Sequence, residues 1–174
     1  EILLNQRMIE QNEYEEGSRL KKNKDAMGNE TEYRYNEDGQ IIQTIHPDGS
    51  SRSFSYTSKG LIASVTDENG GITTYLYNER NQVIETIDGN GNHTYYEYDE
   101  GDNLTQVTNE EGKSRYYEYN SCNRITAMVD FDGSQVKIEY NKINKPERVI
   151  DTLGKQTTIS YDKMWNISKV EAPD

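Results

Sequence analysis

The sequence predicts an all-β protein of tandem 21-residue β-hairpin repeats paired edge to edge in an antiparallel sheet, and three observations predict it. Tyr14, Tyr35, Tyr56, Tyr77, Tyr98, Tyr119, Tyr140 and Tyr161 recur every 21 residues without a gap. Fourteen residues after each of the first seven stands a glycine: Gly28, Gly49, Gly70, Gly91, Gly112, Gly133 and Gly154. Each period also contains two short alternating stretches separated by turn chemistry, as in Thr73-Thr74-Tyr75-Leu76-Tyr77 and Gln82-Val83-Ile84-Glu85-Thr86-Ile87. Tyr, Thr, Val and Ile suit a pleated surface, and two strands with two turns per period describe one hairpin per repeat.

In chain order, residues 1–13 form a lead-in segment, read as a preceding partial repeat or a disordered lead and the one place left open to a helix. Residues 14–160 hold seven repeats, and 161–174 start an eighth that stops before its glycine, so the chain reads as a fragment of something longer. Within a repeat the first turn is Asn36-Glu37-Asp38-Gly39 or Asn78-Glu79-Arg80-Asn81, where Gly or Asn supplies a positive φ. The second turn carries the periodic glycine, as in Asp67-Glu68-Asn69-Gly70. Six residues after the tyrosines stand Leu20, Ile41, Ile62, Val83, Leu104, Ile125 and Ile167, with Pro146 the exception. Two residues before them stand Tyr33, Phe54, Tyr75, Tyr96, Tyr117, Ile138 and Ile159. A lone hairpin is marginal in water, so stacked copies must share these residues as ladders on one face. The opposite face, with Gln43, Ser64, Glu85, Gln106 and Lys169, is expected to be polar.

Composition fits a wall better than a globule. The hydrophobic fraction is 32%, below the usual ~45–50%, yet 14 tyrosines argue against disorder. Tyrosine ladders offer contact area with a hydroxyl that can stay wet. With 19 Lys+Arg against 31 Asp+Glu the net charge is −12, which disfavours nucleic acid and anionic membrane as partners. Cys122 is the single cysteine and forms no internal bridge. No apolar run reaches the ~18–20 residues of a membrane span, and no export signal is visible within this chain.

The unit Tyr-(Asn/Asp)-x-x-(Gly/Asn)-x-(Leu/Ile/Val), followed by an Asp/Asn-rich loop ending in Gly and then x-x-Tyr/Phe-x-Tyr, resembles the RHS or YD repeat. Tyr35-Asn36-Glu37-Asp38-Gly39-Gln40-Ile41, His46-Pro47-Asp48-Gly49 and Tyr98-Asp99 with Leu104 and Gly112 carry the resemblance, which covers about residues 14–171. It implies a long curved sheet, a spiral strip or shell segment. In the bacterial polymorphic toxins and insecticidal toxin complexes of this family such a shell encloses a C-terminal toxic domain, and the animal teneurins are relatives. A self-processing aspartyl segment follows the repeats in bacterial members. The dipeptide Asp-Pro of that segment does not occur here, so the protease is not carried over. Pro146, Trp165 and the turn residues Asn81, Asp102, Asn123 and Asn144 depart from the pattern and put local geometry in question.

Searching for chemistry returns none. Glu15-Glu16 and Glu110-Glu111 have no apolar pocket to raise a pKa. His46 and His93 lie in or just after repeat loops, and Ser55, Ser114 and Cys122 lack an activating base. Asp88-Gly89-Asn90-Gly91-Asn92 imitates a calcium loop, but His93 and Asp99 occupy the places where an EF-hand needs Gly and Glu. Gly70-Gly71 and Gly89-Asn90-Gly91 precede no helix and cradle no phosphate. Asn29, Asn92, Asn103 and Asn166 head glycosylation sequons. No catalytic residue, cofactor or metal is therefore expected. The expected role is a non-catalytic shell segment of a secreted or cell-surface protein, whose partners are flanking repeats and a C-terminal toxin cargo. Edge-to-edge self-association is a further expectation. The alternative is an extracellular carbohydrate- or protein-binding module using the tyrosine ladder. Substituting Tyr77 and Tyr98 separates the two, since it unfolds a wall but only abolishes binding in an adhesion module.

Overall fold

The computed structural model describes residues 11–15 and 17–173, and every regular element among them is a β-strand. The chain divides between Asn92 and His93 into two compact units. The first holds β1 (Gln11–Tyr14), β2 (Leu20–Lys24), β3 (Glu30–Tyr35), β4 (Ile41–Ile45), β5 (Ser51–Tyr56), β6 (Ile62–Thr66), β7 (Ile72–Tyr77) and β8 (Val83–Ile87). The second holds β9 (His93–Tyr98), β10 (Leu104–Thr108), β11 (Ser114–Tyr119), β12 (Ile125–Val129), β13 (Gln135–Tyr140), β14 (Pro146–Ile150), β15 (Gln156–Tyr161) and β16 (Ile167–Glu171). Within each unit every strand pairs antiparallel with its neighbours in sequence, so the tandem hairpins read from the period are the architecture observed. Residues 11–13 of the lead-in segment belong to β1; residues 1–10, with the helix left open there, lie outside the described residues.

The turns explain the periodic glycines and also the Asp and Asn that precede them. Each turn is closed by two backbone bonds: Thr57 N–H donates to Leu61 O and Gly60 N–H to Thr57 O, and likewise Asp67 to Gly71 and Gly70 to Asp67. This closure needs a left-handed residue in fourth place, and Gly70 supplies it at φ 84°. Where the first turn of a repeat lacks glycine, Ser18, Asn81, Asp102, Asn123, Asn144 and Trp165 adopt the same conformation at φ 56–66°. The departures from the pattern thus leave the geometry unchanged. In most turns the residue that opens the turn also holds it from inside. Asp67 Oδ1 accepts N–H groups from Asn69 and Gly71 at 2.9 and 2.8 Å, and Asn78 Oδ1 accepts those of Arg80 and Gln82. This local bonding is the physical content of the Asn or Asp that follows six of the eight ladder tyrosines, Glu15 and Thr57 being the exceptions.

Two faces follow from the strand period of two. On the ladder face Phe54 lies opposite Val65, Tyr117 opposite Met128 and Ile138 opposite Val149. A one-residue register shift then places Tyr56 opposite Ile62 and Tyr119 opposite Ile125, a bulge that recurs in each hairpin closed after a ladder tyrosine. Pro146 takes the corresponding place opposite Tyr140, where a bulge tolerates a residue with no N–H. No described side chain is fully buried. Ladder residues from Tyr35 to Tyr161 are half-buried against one another, which agrees with a wall rather than a globular core.

The other face is polar where expected, in the pairs Arg34–Gln43, Ser55–Ser64 and Glu139–Arg148, whose side chains bond at 3.1, 2.7 and 2.6 Å. It departs from that expectation one row further on. Ile45, Ile87, Val129 and Ile150 point the same way and are half-buried beside Glu32, Thr74, Tyr116 and Lys137. Longer neighbours in register, such as Glu32, Tyr116 and Lys137, have aliphatic or aromatic portions that suit such a row.

Candidate functional site

What the repeat positions most consistently is a seam of tyrosine hydroxyls. Six ladder tyrosines reach back to the preceding repeat, and each donates to the carbonyl of its bulge residue. Tyr35 donates to Leu20 O, Tyr56 to Ile41 O, Tyr77 to Ile62 O, Tyr119 to Leu104 O, Tyr140 to Ile125 O and Tyr161 to Pro146 O, all at 2.6–2.8 Å. The hydroxyls are therefore not left wet as the sequence suggested. They hold one hairpin to the one before it. The acceptor is the main chain, so Pro146 serves as well as Leu or Ile. Tyr14, at the edge, is 57% exposed. Burial of the phenol pushes Tyr35, Tyr77, Tyr98 and Tyr119 above the ordinary tyrosine range, with the neighbouring Tyr75, Tyr96 and Tyr117 or Glu15 adding to the effect.

Cations cap parts of this face. Arg19 lies over the Tyr35 ring at 5.5 Å, Lys145 over Tyr161 at 5.1 Å and Arg115 over Phe131 at 4.6 Å. Arg115 also bonds Asp130 at 2.7 Å, which holds that carboxyl below its usual range. Periodic glycines Gly28, Gly49, Gly91, Gly112, Gly133 and Gly154 share the left-handed turn position of Gly70.

The residues weighed for chemistry are scattered and occupied. His46 Nε2 lies 3.2 Å from Glu68, which Arg52 also contacts. His93 stacks on Tyr95 with centroids 6.0 Å apart. Ser55 bonds Ser64, Ser114 bonds Thr108, and Cys122 is exposed. In the calcium-like loop both oxygens of Asp88 point inward, accepting N–H groups from Asn90 and Asn92. Those bonds, led by Asn92, lower the Asp88 pKa and account for the loop without an ion. Among the described residues no three His, Cys, Asp or Glu side chains group as metal ligands. A shallow hollow beside Tyr77, lined by Lys59, Leu61, Tyr75 and Asn78 among others, holds no carboxylate or imidazole. No helix of the described residues is long and apolar enough to cross a membrane.

Comparison with known proteins agrees with this geometry. Residues 56–93, 77–115 and 98–135 match the RHS Repeat family, each match advancing by one period. No curated protein matches the chain by sequence. Among solved structures, TcdB2-TccC3-TEV superposes on 88% of the chain with a TM-score of 0.74 at 16% identity. TcdB2-TccC3 without hypervariable C-terminal region covers 94% with a TM-score of 0.76 at 15% identity. The Photorhabdus luminescens Tc holotoxin pore covers 93% with a TM-score of 0.61 at 18% identity. At this identity the likeness is one of fold, and the chain spans only 9–10% of those chains' length. The in-phase family matches identify residues 56–135 as RHS repeats, and the same tyrosine and glycine periods continue on either side of them.

Proposed function

We propose that the chain is a length of shell wall, a non-catalytic segment that helps enclose a toxin or other polypeptide cargo within a large exported protein. The observation that carries this reading is the hydroxyl seam: at six places the same tyrosine locks a hairpin to the one before it, and along the seam these repeats are alike. A structure held only by nearest-neighbour contacts extends by adding units, which suits a wall. The likeness to Tc chains, one described as without its hypervariable C-terminal region and one as a holotoxin pore, supports cargo at the C-terminal side of the parent protein. Flanking repeats of the parent would pair with β1 and β16, which among the described residues have a strand neighbour on one side only, and a second copy could pair there instead. The tyrosine ladder is poorly suited to sugar binding, because its hydroxyls are committed to the main chain.

Limited proteolysis of the full-length parent protein tests the reading. The segment C-terminal to the repeats should resist cleavage in the intact protein and become sensitive when Tyr77→Ala and Tyr119→Ala open the wall. Equal cleavage with and without those substitutions would remove enclosure from the account.

A further inference from the structure

We propose that the sheet face opposite the tyrosine ladder carries on β9–β11 a docking surface for a cationic polypeptide segment, formed by the juxtaposed pairs Tyr95–Glu97 and Tyr116–Glu118. The inference does not rest on the shell reading. It starts from a break in the repeat. Tyr95-Tyr96-Glu97-Tyr98 and Tyr116-Tyr117-Glu118-Tyr119 are the same tetrapeptide one period apart. Elsewhere the place of Tyr95 is taken by Glu32, Ser53, Thr74, Lys137 and Thr158, and that of Glu97 by Arg34, Ser55, Leu76, Glu139 and Ser160.

Strand alternation sends Tyr96, Tyr98, Tyr117 and Tyr119 to the ladder and the other four side chains to the opposite face. Register then sets their arrangement. Glu97 lies opposite Gln106, which lies opposite Tyr116, so one row runs carboxylate, amide, ring across β9, β10 and β11. Tyr95 and Glu118 sit two residues from Glu97 and Tyr116 on their own strands. Two strand spacings of about 4.8 Å and a two-residue offset along the strand, about 6.7 Å, set the two Tyr–Glu pairs about 12 Å apart.

These groups are available. Tyr95 and Tyr116 are each 46% exposed, and Glu97 and Glu118 are exposed with no ion pair among the described residues. At the corresponding place one repeat on, Glu139 is neutralised by Arg148. The floor between the rings is self-satisfied, since Gln106 donates to both Thr108 and Ser114. It therefore asks nothing of a ligand, and recognition falls to rings and carboxylates. Both attract ammonium and guanidinium groups, the ring through its quadrupole and the carboxylate through charge-assisted bonds. The net charge of −12 steers the same partner and repels anionic ones. Lys137, in the row of Glu118 beyond Ala127, ends the patch on the β13 side. The occupant that fits is an extended segment with Lys or Arg four residues apart, which sets both on one face about 13 Å from each other.

Binding of a fluorescein-labelled peptide of repeated Arg-Gly-Gly-Gly units to the 174-residue chain, followed by anisotropy, tests this. Tyr95→Ser with Tyr116→Ser leaves the charge unchanged and should weaken binding about fivefold or more. Glu97→Gln with Glu118→Gln should weaken it more than Glu37→Gln with Glu79→Gln, which removes equal charge from distant turns. Tyr95→Phe with Tyr116→Phe keeps both rings and should retain binding, a comparison that holds if the serine variants fail to fold. Undiminished binding by folded serine variants, loss of binding in the phenylalanine variant, or equal losses from patch and distant charges would overturn the proposal. So would tyrosine-dependent binding of cellohexaose in place of the peptide.

Discussion

At Trp165 a large side chain stands where the other turns place Gly, Asn or another small residue, at φ 63°. A left-handed conformation disfavours a residue with a Cβ by about 1–2 kcal/mol, and Asn relieves part of that through local hydrogen bonding. Trp165→Gly is therefore expected to stabilise the chain by about 1 kcal/mol in urea denaturation, unless the contact of Lys145 with the Trp165 carbonyl is lost with it. Gly70→Ala, at φ 84° with open space around the added methyl, should destabilise by about 1 kcal/mol through the backbone alone. Gly89 is under a different constraint: a methyl there would come within 3.2 Å of the Ile72 nitrogen, so its smallness spaces successive turns. At this scale the anchors were legible because identity recurs at fixed spacing. The partner of each tyrosine hydroxyl was not, because a backbone carbonyl leaves no mark on the residue that bears it, and Pro146 shows that the side chain there is free to change.

Turns are the elements whose chemistry most directly makes the fold sensitive to acid. Hydrogen bonds from Asn92, Asn103 and Asn166 hold the carboxyls of Asp88, Asp99 and Asp162 below the ordinary value of 3.8. Depressed carboxylates contribute stability that is present above the unfolded pKa and lost as pH falls through the folded one. The chain should thus hold its stability down to about pH 4 and lose it progressively below, read as a falling urea midpoint. Asp88→Asn keeps one accepting oxygen for the backbone N–H groups, as Asn78 does in its own turn, but sets an amide N–H against Asn92 Nδ2, so it should blunt the acid loss while lowering the neutral midpoint. Hairpins and turn positions could be read from Asn36-Glu37-Asp38-Gly39 and Asp67-Glu68-Asn69-Gly70 because turn residues act locally. The apolar row of Ile45, Ile87, Val129 and Ile150 on the other face was less legible, since what covers it comes from strands whose register only the structure fixes.

For the whole molecule, stability is a sum of repeats and the contacts between successive ones. Deleting residues 57–77 removes one period and returns Thr-Ser-Lys-Gly to Asn-Glu-Arg-Asn in phase, so a folded, shorter protein is expected. Deleting 57–66 shifts the phase and should abolish the sheet, as circular dichroism would show. Raised phenol pKa values at Tyr35, Tyr77, Tyr98 and Tyr119 add an alkaline limit. The neutral phenol is the favoured form, so this contribution is complete below about pH 10, the unfolded value, and is lost as pH rises through the folded one. The central claim is that the hydroxyl seam joins repeat to repeat, and single Tyr→Phe substitutions at Tyr56, Tyr77, Tyr119 and Tyr140 test it most directly. Each keeps the ring and deletes one bond of 2.6–2.8 Å. Urea denaturation should show each variant less stable by about 0.5–1.5 kcal/mol, with faster amide exchange confined to the two hairpins it joins. Four variants as stable as the parent, with unchanged exchange, would contradict the seam and leave side-chain packing alone to hold the wall.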